Sequence, residues 1–284
     1  MPRPRVALAL GSGGLKGMAH VGVLRALEEA EIRPTFYAGS SAGALVAAAA
    51  AHNIGVAEME SVAERLAHRP LFQIDFLSLL RYGFRTPALY RGSPLRELCA
   101  ELFGDVKFSQ LKAPLVVSSV DVESAAALWW GVPSLPDVPV ADAVYASCAM
   151  PGLLPPGRVC GRLCIDGGVL DPLALRAVEP RADVVIAVVL DGASPPVRAT
   201  STMSAAPTLW WHAQGIVTRD LGLHTLARWD GPPLFVIRPD LRHVHSLRGA
   251  DPALVIQAGY DAARIALDRW DDLTVSAANS YPTF

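Results

Sequence analysis

The chain has 284 residues, 51% hydrophobic and 18% charged, with a formal net charge of −2 and a sequence pI near 6.4. That much apolar material excludes an intrinsically disordered chain and supplies a sizeable core. The near-neutral balance excludes the broad basic field that nucleic acid demands, so no nucleic-acid partner is expected.

Read from the start, Met1-Pro2-Arg3-Pro4-Arg5 has the charge of a signal-peptide opening, but the apolar run Val6 to Leu10 is short and enters a glycine-rich turn instead of a cleavage site. Val6 to Leu10 reads as a buried strand, broken by Gly11-Ser12-Gly13-Gly14. Apolar residues then recur at helical spacing from Ala19 to Ala30 (Val23, Leu24, Leu27), with Glu28 and Glu29 on the polar side. A second strand is expected at Thr35 to Ala38, then Gly39-Ser40-Ser41-Ala42-Gly43 and an alanine-rich helix. The stretch Ala42 to Ala51 is roughly half the ~20 residues of a bilayer span and reads as a buried helix. Further strands are expected at Leu115 to Val120, Val184 to Leu190 and Leu234 to Ile237, and helices at Val56–His68, Pro94–Phe103, Val140–Ala149 and Pro252–Trp270. Arg69 to Arg91 and Gly192 to Pro207 read as irregular. Strand, turn and helix in alternation imply an α/β fold built on a mainly parallel sheet. With no repeat and no linker in sight, the expectation is one domain over residues 1–284. The four cysteines, Cys99, Cys148, Cys160 and Cys164, lack a zinc-pair spacing and read as buried thiols of a reducing compartment. The chain is therefore expected to be soluble and cytoplasmic, a placement compatible with transient, peripheral contact at a membrane surface.

Three short motifs carry chemistry. Gly39-x-Ser41-x-Gly43, between a strand and a helix, places a serine on a sharp bend. The helix that follows offers free amides and a positive dipole end where negative charge builds in acyl transfer. The competing use of Ser40 or Ser41 is as a helix N-cap. Gly11-Ser12-Gly13-Gly14-Leu15-Lys16-Gly17 lets backbone amides converge on one anionic oxygen, as a phosphate site or an oxyanion hole would. A Walker loop needs Ser or Thr where Gly17 stands, and a dinucleotide fingerprint needs Gly where Lys16 stands, so the oxyanion reading fits better and no cofactor or metal is expected. Asp166-Gly167-Gly168 ends the apolar run Leu163-Cys164-Ile165 and leaves a carboxylate at a strand end, although an ordinary Asp-Gly turn would look the same.

Together these residues resemble the patatin-like phospholipase family. Gly17-Met-Ala-His-Val-Gly-Val-Leu24 is similar to that family's helix after the glycine loop, Ala146-Ser-Cys-Ala-Met-Pro-Gly152 to the segment before its aspartate, and Gly161-Arg-Leu-Cys-Ile-Asp-Gly-Gly168 to its Asp-Gly-Gly region. The stretch Gly249 to Ala263, with Gly259-Tyr260, resembles the ending of compact bacterial members. The resemblance implies a three-layer α/β/α fold and a serine acyl-hydrolase acting on lipid or carboxylic esters. It implies a Ser41–Asp166 dyad, an oxyanion hole from amides of the Gly11–Gly14 turn (Gly13 and Gly14 foremost), Lys16 and Gly17 as its basic and flexible partners, and Gly39, Gly43, Gly167 and Gly168 as supporting turns. Ser12, where many members have Gly, and Asp171, where an Asn often follows, depart from the pattern.

A dyad asks Asp166 to take the serine proton unaided. A carboxylate near pKa ~4 falls short of imidazole by about 2.5 units, or ~3.4 kcal/mol, which burial of the carboxyl and the oxyanion amides must offset. A Ser-His-Asp hydrolase would instead draw on His212, His224, His243 or His245, and a non-catalytic binding module on the same fold would use none of these groups. Apolar residues between Leu71 and Phe84, Trp129-Trp130 and Trp210-Trp211 are candidates to shelter an acyl chain or simply to fill the core.

Overall fold

A computed structural model describes residues 4–68, 71–83, 86, 88–178, 182–190, 206–244, 250–268 and 270. Its frame is one eight-stranded sheet. The strands are β1 (Val6–Leu10), β2 (Phe36–Ser40), β3 (Leu115–Asp121), β4 (Ala126–Trp130), β5 (Gly157–Val159), β6 (Arg162–Asp166), β7 (Val184–Val188) and β8 (Leu234–Ile237). β8, β7, β1, β2 and β3 run parallel in that order; β4 and β6 pair antiparallel with β3, and β5 with β6. The sheet is thus mainly parallel on one side and antiparallel on the other.

β1 is buried at all five positions, as expected for a strand covered on both faces. Alternation sends Val6, Leu8 and Leu10 to one face and Ala7 and Ala9 to the other. The first face carries the thick helical layer: α1 (Ala19–Glu29), α2 (Ala42–Ala51), α3 (Val56–His68), α5 (Ser93–Phe103), α6 (Val140–Ser147) and α8 (Pro252–Leu267). The opposite face is lined largely by small residues, among them Ala38 and Ala187. They allow a thin cover to lie close: Leu173, Leu175 and Val178, with Leu226 from the last turn of α7 (Ala206–Ala227). α2 is alanine-rich and apolar all round because it is enclosed on nearly every side.

One detail of register positions the site. Ser40, the last residue of β2, pairs with Ser118, while Asp166, the last residue of β6, pairs with Ser119. β4 pairs with both Ser118 and Ser119, so it occupies the other edge of β3. β2 and β6 therefore share one edge of β3, end to end, and because they run in opposite directions their C-terminal ends meet. β2 can stop there because its chain leaves the sheet into α2, which vacates the rest of that edge.

Several expectations shift. β2 runs on to Ser40, so Gly39 lies in the strand and only Ser41 turns. α8 stops at Leu267, three residues short of Trp270. The Arg69–Arg91 stretch contains a helix, α4 (Phe76–Tyr82), capped by the Asp75 carboxylate accepting from the Ser78 amide at 3.1 Å. Most of Gly192 to Pro207 lies outside the described residues, but its end belongs to α7, a 22-residue helix whose apolar residues have no clear periodicity. Cys160 is exposed, not buried, because it occupies the tight β5–β6 turn at φ +48° with Gly161 at φ +79°.

α1 and α8 cross with their backbones in contact. A Cβ at Gly22 would collide with the Ile256 carbonyl oxygen, and one at Gly259 with that of Ala19. Overpacking a core costs typically about 1–3 kcal/mol, and here rigid backbone would have to give. Gly259→Leu is expected to lower the urea midpoint of unfolding by at least about 3 kcal/mol's worth of stability at unchanged slope. A midpoint within experimental error of the parent contradicts the crossing.

Candidate functional site

Ser41 adopts φ +54°, ψ −124°. This is a strained conformation for a residue with a side chain, and surrounding bonds must hold it. Its amide donates to Ser147 Oγ at 2.8 Å and its carbonyl accepts from the Ala44 amide at 2.8 Å. Gly43 lets the bend sit against β1, since a Cβ there would strike the Leu10 carbonyl. Although Ser41 occupies the N-cap position of α2, its hydroxyl makes no cap bond. It donates instead to Asp166 Oδ2 at 2.6 Å. The two residues, 125 positions apart in sequence, are brought together by the facing ends of β2 and β6.

Asp166 is almost wholly buried, and its other oxygen, Oδ1, accepts the Gly168 amide at 2.7 Å. Desolvation by burial raises its pKa to about 6, against the opposing pull of the Ser41 and Gly168 hydrogen bonds. Most of the basicity gap between a carboxylate and imidazole is thereby closed.

The glycine loop lies beside this pair. The Gly11 amide donates to the carbonyl of Val188, at the end of β7, at 3.0 Å, and the Ser12 amide to that of Pro172, in the segment after the Asp166 turn, at 2.8 Å. Gly14 opens a short 3-10 turn to Met18, and its φ of +59° swings the chain out of the strand. Among the described residues, the amides of Gly13 and Gly14 donate to no protein acceptor, and both residues line the same cavity as Ser41 and Asp166. Lys16 is fully enclosed, and Gly17 packs directly on Ala42 at the start of α2. The loop and the serine bend thus form one packed unit.

Two buried residues that sequence reasoning passed over hold this unit. His20, on α1, is completely enclosed; burial lowers its pKa to about 4, so at neutral pH it is uncharged. Its Nε2–H donates to the Gly11 carbonyl at 2.8 Å. Ser147, on α6, fixes the Ser41 amide as described above. Both lie inside quoted motifs, but nothing in their spacing says what they face. Asp171 is also buried, with Oδ2 accepting from Trp129 Nε1 at 3.0 Å and its amide donating to the Gly167 carbonyl at 2.9 Å, which braces the turn that carries Asp166. Burial pushes its carboxyl pKa upward.

The two tryptophan pairs have different roles. Trp130 is fully buried and donates to Ser119 Oγ at 2.8 Å, while Trp129 braces Asp171, so both serve the core. Trp210 faces the Ser41 cavity along with Gln214, Thr218 and Arg219, all from α7. The side chain of Trp211 lies outside the described residues, as does Phe84. A second cavity, almost entirely apolar, also reaches Ser41. It runs between α2, α3 and α5 past Val46, Met59, Val62 and Leu102, with Leu71 and Phe72 at its wall. The two cavities share Gly14, Ser41 and Met150.

Of the histidines considered for a relay, His224 pairs with Asp220 at the surface, at 3.4 Å. His212 sits on α7, His243 follows β8, and His245 lies outside the described residues. No described histidine hydrogen-bonds Ser41 or Asp166, and both oxygens of Asp166 are occupied.

The sequence model for patatin-like phospholipases matches residues 8–178, which spans the loop, the serine bend and the aspartate turn. An NTE family protein of Mycobacterium tuberculosis is 36% identical over 192 residues, covering 66% of this chain and 50% of that protein. A lysophospholipase nte1 of Aspergillus fumigatus is 30% identical over 188 residues, covering 64% of this chain and 12% of that one. The chain spans about half the length of the mycobacterial relative. Among solved structures, VipD from Legionella pneumophila superposes with a TM-score of 0.59 at 15% identity, covering 94% of this chain and 67% of that one. The type III effector ExoU superposes at 0.51 and 14%, covering 94% and 53%. These likenesses show the α/β fold. The chain belongs to the patatin-like phospholipase family.

The raised carboxyl has a thermodynamic signature. Folded Asp166 holds its proton up to about pH 6, whereas the unfolded residue loses it near 3.8. Between those values the native state binds the extra proton, so stability falls as pH rises through the window, by about 3 kcal/mol once both forms are ionised. Asp166→Asn carries no such charge and escapes that loss. Its Tm relative to the parent is expected to be markedly higher at pH 7.5 than at pH 4, by thermal denaturation. An offset equal at both pH values contradicts the burial.

Proposed function

We propose that the protein hydrolyses acyl esters of lipids through Ser41 as nucleophile and Asp166 as general base. The observation that carries this reading is the 2.6 Å hydrogen bond between two nearly buried side chains, one of them on a strained backbone. In the first step the Ser41 proton passes to Asp166 as Oγ attacks the ester carbonyl. The developing oxyanion is held by the Gly13 and Gly14 amides, each worth roughly 3–4 kcal/mol in comparable sites. Gly11 shapes the loop without donating to it, because its own amide is committed to Val188. Collapse of the intermediate expels the alcohol, which takes the proton from Asp166. Water then attacks the acyl-enzyme, Asp166 accepts its proton, and that proton returns to Oγ as the acid leaves.

The two cavities fit the two halves of such a substrate. The apolar one suits an acyl chain; the other, edged by Gln214, Thr218 and Arg219, suits the polar alcohol portion. The name lysophospholipase, carried by the fungal relatives, agrees with that division.

Ser41→Ala and Asp166→Asn are each expected to reduce hydrolysis of a short-chain p-nitrophenyl ester by at least ~10³-fold while far-ultraviolet circular dichroism is unchanged. Near-full activity in either variant ends the dyad reading. The parent should also label with a fluorophosphonate at Ser41; a folded, unlabelled protein favours a binding module. Because Asp166 must be ionised to act, kcat/KM is expected to rise with pH about an apparent pKa near 6. Replacing His212, His224, His243 or His245 should leave the rate within twofold, whereas a relay histidine would cost orders of magnitude.

A further inference from the structure

α4 has no buried residue. Its Phe76, Leu77 and Leu80 are 64%, 71% and 84% exposed, an arrangement that a seven-residue helix in water does not favour. The helix is nonetheless firmly placed. The Asp75 amide donates to the Leu89 carbonyl at 2.9 Å, and the Leu89 amide donates to that of Gly152 at 3.0 Å. Gly152 follows Met150 and Pro151, which line the Ser41 cavity. From the other side the Trp210 ring reaches within 3.7 Å of the space a Cβ would fill at Gly152. Trp210 and its neighbour Leu209, on α7, are themselves 38% and 50% exposed. Five and four residues before α4, Leu71 and Phe72 already line the apolar cavity. Exposed apolar side chains of α4 and α7 thus flank the Gly152 turn, whose neighbours Met150 and Pro151 line the Ser41 cavity.

Two guanidinium groups, Arg81 and Arg219, flank this region, and the carboxylates beside them are engaged. Between Leu71 and Gly83 the only carboxylate is Asp75, which is consumed by the Ser78 amide and hydroxyl; the cation is Arg81. On α7, Arg219 borders the cavity, and the Asp220 carboxylate beside it pairs with His224 at 3.4 Å. An apolar rim edged by guanidinium groups matches the phosphate and acyl layers of a lipid surface. A protein bound stably here would cover the entrance to Ser41, whereas a surface that supplies the substrate would feed it.

We infer that Phe76, Leu77 and Leu80 of α4, with Leu209 and Trp210 of α7, dock the protein on a phospholipid surface and open the Ser41 cavities onto it. This rests on the ester-hydrolase reading for its purpose, but docking itself is measurable without catalysis.

The test uses the full chain carrying Ser41→Ala, sedimented with vesicles of phosphatidylcholine and phosphatidylglycerol. Adding Phe76→Ser, Leu77→Ser and Leu80→Ser is expected to weaken vesicle partitioning at least tenfold. In the otherwise native chain the same triple change should reduce hydrolysis of a vesicle-embedded ester at least tenfold while hydrolysis of soluble p-nitrophenyl butyrate stays within twofold. Unchanged partitioning overturns the inference. So does an equal loss on both substrates, or a parent dimer that the triple change converts to monomer, which would make the patch a self-association face. A parent that binds vesicles through these residues yet hydrolyses neither ester would instead remove the enzymatic reading and leave the docking surface standing.

Discussion

The structure turns on the meeting of two strand ends along one edge of β3. A serine and an aspartate from distant parts of the chain could approach in many ways, but here the approach is set by backbone pairing. Ser40 is fixed opposite Ser118 and Asp166 opposite Ser119, so the next side chain along β2 and the last of β6 face one another with no loop to relax. Sheet hydrogen bonds are cooperative and short-range, and they hold positions more tightly than surface loops can. The 2.6 Å Ser41–Asp166 hydrogen bond depends on such rigidity.

Burial does the remaining work, and it acts in opposite directions on two neighbours. The same desolvation that raises Asp166 to about 6 lowers His20 to about 4. The carboxylate becomes a better base; the imidazole becomes a neutral donor that pins a carbonyl. Neither residue is tuned by a partner of opposite charge. Enclosure by apolar packing sets both, which ties the chemistry of the site to the integrity of the surrounding core.

The sequence disclosed the parts of the site whose chemistry is local. Gly-x-Ser-x-Gly and Asp-Gly-Gly are short because a bend and a strand end each need only a few special residues, and the strands β1, β3, β7 and β8 announce themselves as short runs rich in Val, Leu and Ile. What it did not disclose is non-local. Ser147 and His20 act through atoms far along the chain, and no periodicity marks them. β4 carries a tryptophan pair but no strand signal, since its Ala126 is exposed, and its membership is decided by pairing with β3. α7 escaped notice because its apolar residues are spread around the helix, so the usual 3.6-residue rhythm is absent. α4 was lost among breakers because its apolar side chains face outward, contrary to the pattern by which buried helices are recognised.

The glycine crossing of α1 and α8 reaches further than packing. α1 bears His20, which holds the Gly11 carbonyl, and the backbone contact at Gly22 lies half a helical turn away. The glycine loop is therefore braced through a helix, α8, that follows it by more than 200 residues. During synthesis, an emerging polypeptide would carry its serine, its aspartate and its glycines long before that brace existed. The loop and the serine bend would therefore settle into their final packing only once translation has reached α8.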